Sequence, residues 1–248
     1  MTPFDKTHLI LLMATVGFIA VTMLAASKLS RRGQNILFAL GALICAGGVF
    51  FRYAMGLSFS PTALNWQTLA IQMLQVCNFN FLLVLLMLVP KFELARQYSF
   101  FFSMFAAATV MVSFPRSWAN LKWYDTTVLN FWLNHVFAIA LPLWMLAAGR
   151  LKPQKKYILP VSICVIGYFL AVYGASEWLI SKGLLKVENA FSYVYDPGGI
   201  GLLEWLYELI GLPCFYLAPL IPAMVAFFWL LTVIFRNYTV QPYGKKRK

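Results

Sequence analysis

Seven long apolar runs, separated by short polar segments, follow one another along the chain of 248 residues. A helix needs ~20 apolar residues to cross a bilayer whose hydrocarbon core is about 30 Å thick. The runs have that length, whereas the strands of a membrane barrel are ~10 residues long and alternate in polarity. The pattern therefore predicts an all-α, polytopic membrane protein, a single domain of seven transmembrane helices over residues 1–248. The predicted spans are 8–26, 35–57, 69–89, 98–114, 128–148, 158–180 and 213–235.

The basic residues predict how these helices are oriented. An odd number of spans puts the termini on opposite sides, and a cytoplasmic C-terminus places 14 of the 20 Lys and Arg residues on inner segments. Cytoplasmic loops are enriched in Lys and Arg, so the N-terminus is predicted outside and the C-terminus inside, with 236–248 as a basic cytoplasmic tail. This placement accounts for the net charge of +12 without a nucleic-acid partner. Only 11% of the residues are charged and 61% are hydrophobic, which leaves no segment for a separate soluble domain.

Polar side chains are concentrated in the outer halves of the third and fifth spans, whose inner halves are apolar. The third span carries Cys77, Asn78 and Asn80, and the fifth carries Asn130, Asn134 and His135. Polar groups are costly inside a bilayer, and they usually have partners or a function there. Counted from Leu69 and Val128 at ~1.5 Å per residue, Cys77 and His135 both lie ~10–12 Å below the outer surface. We therefore predict that a thiol and an imidazole share one depth.

A cysteine and a histidine at one depth can act as a nucleophile and its base. The imidazole takes the thiol proton, and the thiolate then attacks an electrophilic carbon. Nearby amides can donate hydrogen bonds to a developing oxyanion, and the candidates are Asn78, Asn80 and Asn134. A second interpretation stays open, because cysteine often packs as a small apolar residue and amides often join membrane helices. Single cysteines and two scattered histidines predict no metal site.

The longest connection between spans, residues 181–212, is predicted to be ordered. Its ENAFSYVYDPGG stretch indicates a turn, and LLEWLYELIGLP has the pattern of a short amphipathic helix at the membrane surface that ends near Gly211. Asn189 and Tyr193 either cap this turn or cover a pocket. Together with Asn130, they are candidate substrate-binding residues.

Three stretches resemble a known family. LQVCNFNFLLVLLMLV carries a cysteine followed by an amide and an apolar run, NFWLNHVFAIALPLWML carries a histidine, and ENAFSYVYDP is an Asn-then-Tyr stretch. In order and character they resemble the transmembrane protein 164 family, which includes the YwaF-like bacterial integral membrane proteins. The resemblance implies a cysteine-dependent acyltransferase that moves a fatty acyl chain between phospholipids. Its cysteine and histidine correspond to Cys77 and His135, the pair that the depth argument also selects.

Two functions follow as expectations. The first is a membrane acyltransferase that forms a thioester on Cys77, needs no cofactor and takes a phospholipid and a lyso-lipid as substrates. The alternative is a carrier or receptor without enzymatic activity that binds a small molecule in an outward-facing polar cavity. In both cases we expect an integral protein of a bacterial plasma membrane.

Overall fold

The computed structural model describes residues 4–54, 74–114, 120–185, 192–195, 197 and 200–237. Within these residues every regular element is helical. The helices are α1 (Lys6–Lys28), α2 (Arg31–Ala54), α3 (Val76–Met87), α4 (Glu93–Tyr98), α5 (Met104–Ser113), α6 (Thr126–Ala147), α7 (Ile158–Ser181), α8 (Gly201–Ile210) and α9 (Leu220–Ile234). A π-helical stretch, Ser99–Ser103, joins α4 to α5, and 3-10 turns at Lys155–Tyr157 and Phe215–Leu217 precede α7 and α9.

Four of the described segments are long and apolar enough to span a membrane. They are Lys6–Lys28, Thr126–Ala147, Lys155–Ser181 and Phe215–Ile234. The predicted class, an all-helical membrane protein, is thus confirmed in the described part of the chain. The predicted limits of the first, fifth and sixth spans agree with α1, α6 and α7 to within two residues.

The amphipathic helix predicted before the last span is α8. It ends at Gly211, whose φ of 68° is a left-handed conformation that glycine adopts without strain. The predicted basic tail, 236–248, lies outside the described residues from residue 238 onward.

The third predicted span, 69–89, differs most from the structure. Its helix, α3, begins at Val76 rather than near residue 69, because Gln75 has an extended backbone with φ −82° and ψ 122°. Residues 69–73 lie outside the described part of the chain. Because α3 has 12 residues, it is about 18 Å long, well short of a hydrocarbon core of ~30 Å. Hydropathy does not detect this start, since the residues before Val76 are apolar enough to continue a helix.

The helices of the fourth and seventh predicted spans also begin elsewhere than expected. α4 begins at Glu93, five residues before the predicted limit, and a carboxylate in the first turn is favourable at the positive end of the helix dipole. The π-helical stretch then leads directly into α5. α9 begins at Leu220, beyond the predicted limit, because Pro219 and Pro222 fit the first turn of a helix but not its interior.

α6 is the interior helix of the bundle. It packs against α1, α2, α3 and α5. In an apolar stretch of 18 residues within α6, 67% is buried inside the protein, compared with 11% for the corresponding stretch of α1. The polar residues of the fifth predicted span therefore lie inside the protein rather than against lipid. In that position neighbouring helices can satisfy amide and imidazole groups.

α2 approaches α6 closely because two of its contact positions are glycines. A Cβ atom at Gly48 would lie 1.9 Å from Oδ1 of Asn134, and one at Gly41 would lie 2.8 Å from Cζ3 of Trp144. Neither position has room for a side chain. Small residues of this kind let helix backbones approach one another in membrane bundles.

Polar contacts tie the helices together at one end of the bundle, which we call the Arg150 end. Gln97 donates hydrogen bonds to Glu93 at 2.7 Å and to the carbonyl of Lys152 at 2.8 Å. Arg150 donates to Gln34 at 3.2 Å. These bonds join α4 and the start of α2 to the segment that follows α6.

The opposite end, which we call the Cys77 end, contains the first residues of α1, α3 and α6. Asp5 and Asp125 cap α1 and α6 by accepting hydrogen bonds from backbone N–H groups of the first turn. The buried ring of His8 lies nearby, with Nδ1 accepting from Phe4 N and Nε2 bonded to the carbonyl of Met111 at 2.8 Å. His8 therefore joins α1 to α5.

Candidate active site

Cys77 and His135 contact each other at the Cys77 end. Cys77 is the second residue of α3, and His135 is the tenth residue of α6. Sγ of Cys77 is 3.4 Å from Nε2 of His135, which is within hydrogen-bond distance for sulfur. Cys77 is half-buried and His135 is buried. Among the described residues, no three His, Cys, Asp or Glu side chains cluster as metal ligands do.

The second ring nitrogen fixes the protonation pattern of His135. Nδ1 is 2.7 Å from the carbonyl oxygen of Phe131, one turn earlier in α6. Because a carbonyl oxygen can only accept, Nδ1 carries a proton and donates it in this bond. In the neutral ring Nε2 is then unprotonated and accepts from the Cys77 thiol. A histidine in this arrangement can take a proton from the thiol.

The structure brings the predicted pair together, although the helices differ from the ones that the depth argument assumed. The equal depths of Cys77 and His135 were predicted for two continuous helices that both start at the outer surface. α3 instead starts inside the bundle, whereas α6 has advanced about 13 Å when it reaches His135. Cys77 therefore lies in the first turn of its helix, where the positive end of the dipole stabilises a nearby anion.

Asn80 lies one turn beyond Cys77, on the same face of α3. Its Oδ1 accepts a hydrogen bond of 3.0 Å from the hydroxyl of Tyr98. Both side chains are buried. The bond from Tyr98 orients the Asn80 amide, with its NH₂ group directed away from the phenol. Tyr98 was not predicted as a site residue, because a tyrosine at the edge of an apolar run is an ordinary interfacial residue.

The other predicted amides have different surroundings. Nδ2 of Asn134 donates to Oδ1 of Asn130 at 3.3 Å, and the Asn134 amide lies against Gly48. Both asparagines thus lie on the side of α6 that faces α2, whereas His135 faces α3. Asn78 is buried, and it lies about 100° around the axis of α3 from Cys77.

A groove of about 400 Å³ lies between α2 and α6. Its polar lining consists of Thr126, Asn130 and Asn134, and its other lining residues are Leu43, Ile44, Gly47, Gly48, Leu129 and Leu133. The leucines and the isoleucine are exposed on the outside of the bundle. The groove is therefore a site separate from the Cys77–His135 pair.

Residues 192–195, which include the predicted Tyr193, lie near the start of α3. Tyr193 packs in an apolar cluster with Leu203 and Leu206 of α8, and its carbonyl accepts a hydrogen bond from the hydroxyl of Tyr216. The ring of Tyr193 thus helps to hold α8 against the bundle. Asn189 lies outside the described residues.

Two further residues next to the pair were missed by sequence reasoning. Ser192 accepts a hydrogen bond of 2.8 Å from Val76 N and donates to the carbonyl of Leu74. The ring of Tyr168 stacks on Phe79, with centroids 4.7 Å apart. A serine between aromatic residues has the pattern of an ordinary turn, so no signal in the sequence marks it.

Comparison with known proteins gives a family. Neither a curated protein nor a solved structure matches the chain. A family model matches residues 3–232, a range that includes Cys77, His135 and Ser192. Since the match covers nearly the whole chain and the described helices include several that can span a bilayer, the protein is an integral membrane protein that belongs to the TMEM164 family.

Proposed function

We propose that the protein is a membrane acyltransferase that moves a fatty acyl chain between phospholipids through a thioester on Cys77. The observation that carries the proposal is the 3.4 Å contact between Cys77 Sγ and His135 Nε2, in a ring whose Nδ1 is bonded to Phe131. A thiol beside such a base is an activated nucleophile. The acyl esters that a membrane can supply to such a nucleophile are those of phospholipids. The activity implied by the family resemblance agrees with this chemistry.

The first half-reaction loads the cysteine. Nε2 of His135 takes the proton from Cys77, and the thiolate attacks the ester carbonyl carbon of a phospholipid. The tetrahedral intermediate breaks its C–O bond to the glycerol oxygen. The imidazolium of His135 returns the proton to that oxygen, so a lyso-phospholipid leaves and a thioester stays on Cys77.

The second half-reaction unloads the cysteine. The hydroxyl of a lyso-lipid gives its proton to Nε2 of His135, and its oxygen attacks the thioester carbonyl. The C–S bond breaks, and the Cys77 thiolate takes the proton back from the imidazolium. The buried position of His135 limits the access of water, which would otherwise hydrolyse the thioester. No cofactor takes part in this cycle.

Asn80 is the amide best placed to donate to the oxyanion. It shares a face of α3 with Cys77, and Tyr98 orients it. Asn78 is the second candidate on the same helix. We do not assign this role to Asn134, because its amide lies against Gly48 on the side of α6 that faces α2, away from the Cys77–His135 pair.

We also propose seven spans, with the N-terminus outside, the C-terminus inside and the site in the outer half of a bacterial plasma membrane, as in the YwaF-like proteins. The described basic residues support this orientation. Those toward the Arg150 end are Lys28, Arg31, Arg32, Lys91, Arg96, Arg150, Lys152, Lys155, Lys156 and Arg236, whereas those toward the Cys77 end are Lys6, Arg52, Lys122 and Lys182. An excess of Lys and Arg marks the cytoplasmic side.

Intact-protein mass spectrometry after incubation with mixed phospholipids tests the acyl transfer. We expect a fatty-acyl adduct that hydroxylamine removes and that maps to Cys77. Cys77→Ala should form none, and His135→Ala should form it ~10²–10⁴-fold more slowly, since the general base is lost. Cys164→Ala is the matched control, because Cys164 is an exposed thiol on the outside of α7. A broad lipid panel that leaves the wild-type mass unchanged would exclude the acyltransferase.

The groove between α2 and α6 favours a second function, the binding of a small molecule without chemistry. Nδ2 of Asn130 is buried and has no hydrogen-bond partner among the described residues, although such groups normally have one. A carrier or receptor of this kind would keep its cellular activity in Cys77→Ala and lose it in Asn130→Leu. The acyltransferase predicts the opposite pattern.

A further inference from the structure

α3 begins inside the bundle, and Ser192 lies against its first residues. The Ser192 hydroxyl accepts from Val76 N at 2.8 Å and donates to the carbonyl of Leu74, so it bridges the turn that leads into the helix. The ring of Tyr168, from α7, stacks on Phe79 in the first turn of α3, with centroids 4.7 Å apart. Only 3% of Ser192 is exposed, so these bonds are shielded from water.

Ser192 belongs to a short segment, residues 192–195, that is held on its other side by the approach to α9. Cys214 N donates to the carbonyl of Val194 at 2.5 Å, and the hydroxyl of Tyr216 bonds to the carbonyl of Tyr193. Tyr195 bonds through its hydroxyl to Glu177 of α7. The segment therefore connects α3 with α7 and with the turn that precedes α9.

The backbone of this segment is held in an unfavourable conformation. Ser192 and Tyr193 have φ values of 58° and 59°, in the left-handed region that residues other than glycine rarely adopt. Such residues persist only where the surrounding contacts fix them, and they are frequent at functional sites. Here the fixed residue is the one whose hydroxyl reaches the start of α3.

We propose that Ser192 is a positioning residue for Cys77. By bridging Leu74 and Val76, it holds the first turn of α3 at the depth of His135, so that the thiol meets Nε2 and lies at the positive end of the helix dipole. Cys77 is the next residue after Val76, and a change at this turn is transmitted directly to it. An effect of Ser192 on acyl transfer rests on the proposed function. An effect of Ser192 on the reactivity of the Cys77 thiol does not.

Alkylation of Cys77 by iodoacetamide, followed by peptide mass mapping, tests this role without any lipid substrate. Ser192→Gly removes the hydroxyl and tolerates the positive φ, so strain does not confuse the result. We expect Cys77 to react about fivefold more slowly at pH 7 and at an unchanged rate at pH 10, where a thiol ionises without help. Ser181→Ala, at an exposed serine, is the control and should match the wild type.

Three results separate the outcomes. Equal alkylation of the wild type and Ser192→Gly at both pH values would overturn the proposal. A similar loss at pH 7 and pH 10, together with a lower melting temperature, would also overturn it, because it would indicate general loosening of the fold. If the pH 7 effect appears but the wild type forms no acyl adduct, the role of Ser192 stands and the acyltransferase fails.

Discussion

Tyr98 holds the amide of Asn80 in one orientation, one turn along α3 from Cys77. A donor stabilises a developing oxyanion only if it already points to the correct place when the reaction begins. The phenol is buried in the main core of the bundle, so its position is fixed by packing on all sides. Its hydroxyl can therefore affect the chemistry without touching the substrate.

Tyr98→Phe tests this influence. Thioester formation on Cys77 should slow by about tenfold, because Asn80 loses the bond that orients it. The ring stays in the core, so the free energy of unfolding should fall by about 1–3 kcal/mol, the cost of leaving the buried Asn80 oxygen without its donor. The rate is measured as acyl-adduct formation by mass spectrometry, and stability is measured by thermal unfolding in detergent.

Tyr124→Phe provides the comparison, since Tyr124 is 54% exposed and distant from the pair in the chain. If Tyr98→Phe and Tyr124→Phe react at the same rate, Asn80 does not act in the mechanism.

At the residue scale, the sequence predicts what is unusual and misses what is ordinary. Cys77 and His135 are visible because polar groups are rare in apolar runs. Tyr98 and Ser192 are not visible, because a tyrosine at a helix end and a serine in a loop are common. The place of Asn134 against Gly48 could not be predicted either, since the rotation of a helix in a bundle is set by packing.

At the scale of elements, the contact between α2 and α6 depends on the absence of a side chain at Gly48. A methyl group there would lie 1.9 Å from Asn134 Oδ1, which no small movement can relieve while Asn134 keeps its bond to Asn130. The two helices would have to separate or the amide would have to move.

Gly48→Ala should therefore lower the free energy of unfolding by about 1–3 kcal/mol, the usual cost of overpacking a core. Gly47→Ala is the matched control, because a Cβ at Gly47 meets nothing within 4 Å and alanine is the better helix former. Thermal unfolding of both variants in one detergent gives the measurement. A Gly48→Ala protein as stable as Gly47→Ala would contradict the close packing.

The double variant Gly48→Ala/Asn134→Ala sharpens the result. Removing the amide makes room for the methyl group, so the double variant should be less destabilised than the sum of its single variants. Strict additivity would indicate that residues 48 and 134 are not in contact.

Helix limits were predictable where the hydropathy of the sequence changes. They were unpredictable where the backbone leaves the helical conformation without a change in hydropathy. α1, α6 and α7 begin or end near charged residues and match the predicted spans. α3 begins in the middle of an apolar run, where the extended Gln75 and the hydroxyl of Ser192 define the start. Hydropathy does not show the backbone angles of Gln75, and Ser192 is 116 residues from Val76 in the chain. Long-range contacts of this kind are not encoded in periodicity.

At the scale of the whole molecule, the two ends of the bundle differ in charge. Most described basic residues lie toward the Arg150 end, and the Cys77–His135 pair lies toward the other. This asymmetry supports the proposed orientation, in which the reaction takes place on lipids of the outer half of the bilayer.

Cysteine labelling of intact cells tests the orientation. In a Cys164→Ala background, a membrane-impermeant maleimide should label Lys122→Cys and should not label Lys156→Cys until the cells are opened, although both positions are exposed. The reverse pattern would place the N-terminus and the active site on the cytoplasmic side.

The route of the chain also gives the active site an order of assembly. The tautomer of His135 is set within α6 by Phe131, four residues away, so the base is ready as soon as that helix forms. The thiol depends on residues 192–195, which a ribosome adds more than a hundred residues after Cys77. Cys214 and Tyr216, just before α9, in turn form hydrogen bonds to those residues. A nascent chain would therefore hold a less reactive cysteine in the membrane until Ser192 and the residues that hold it are in place, and acyl transfer would reach its full rate only then.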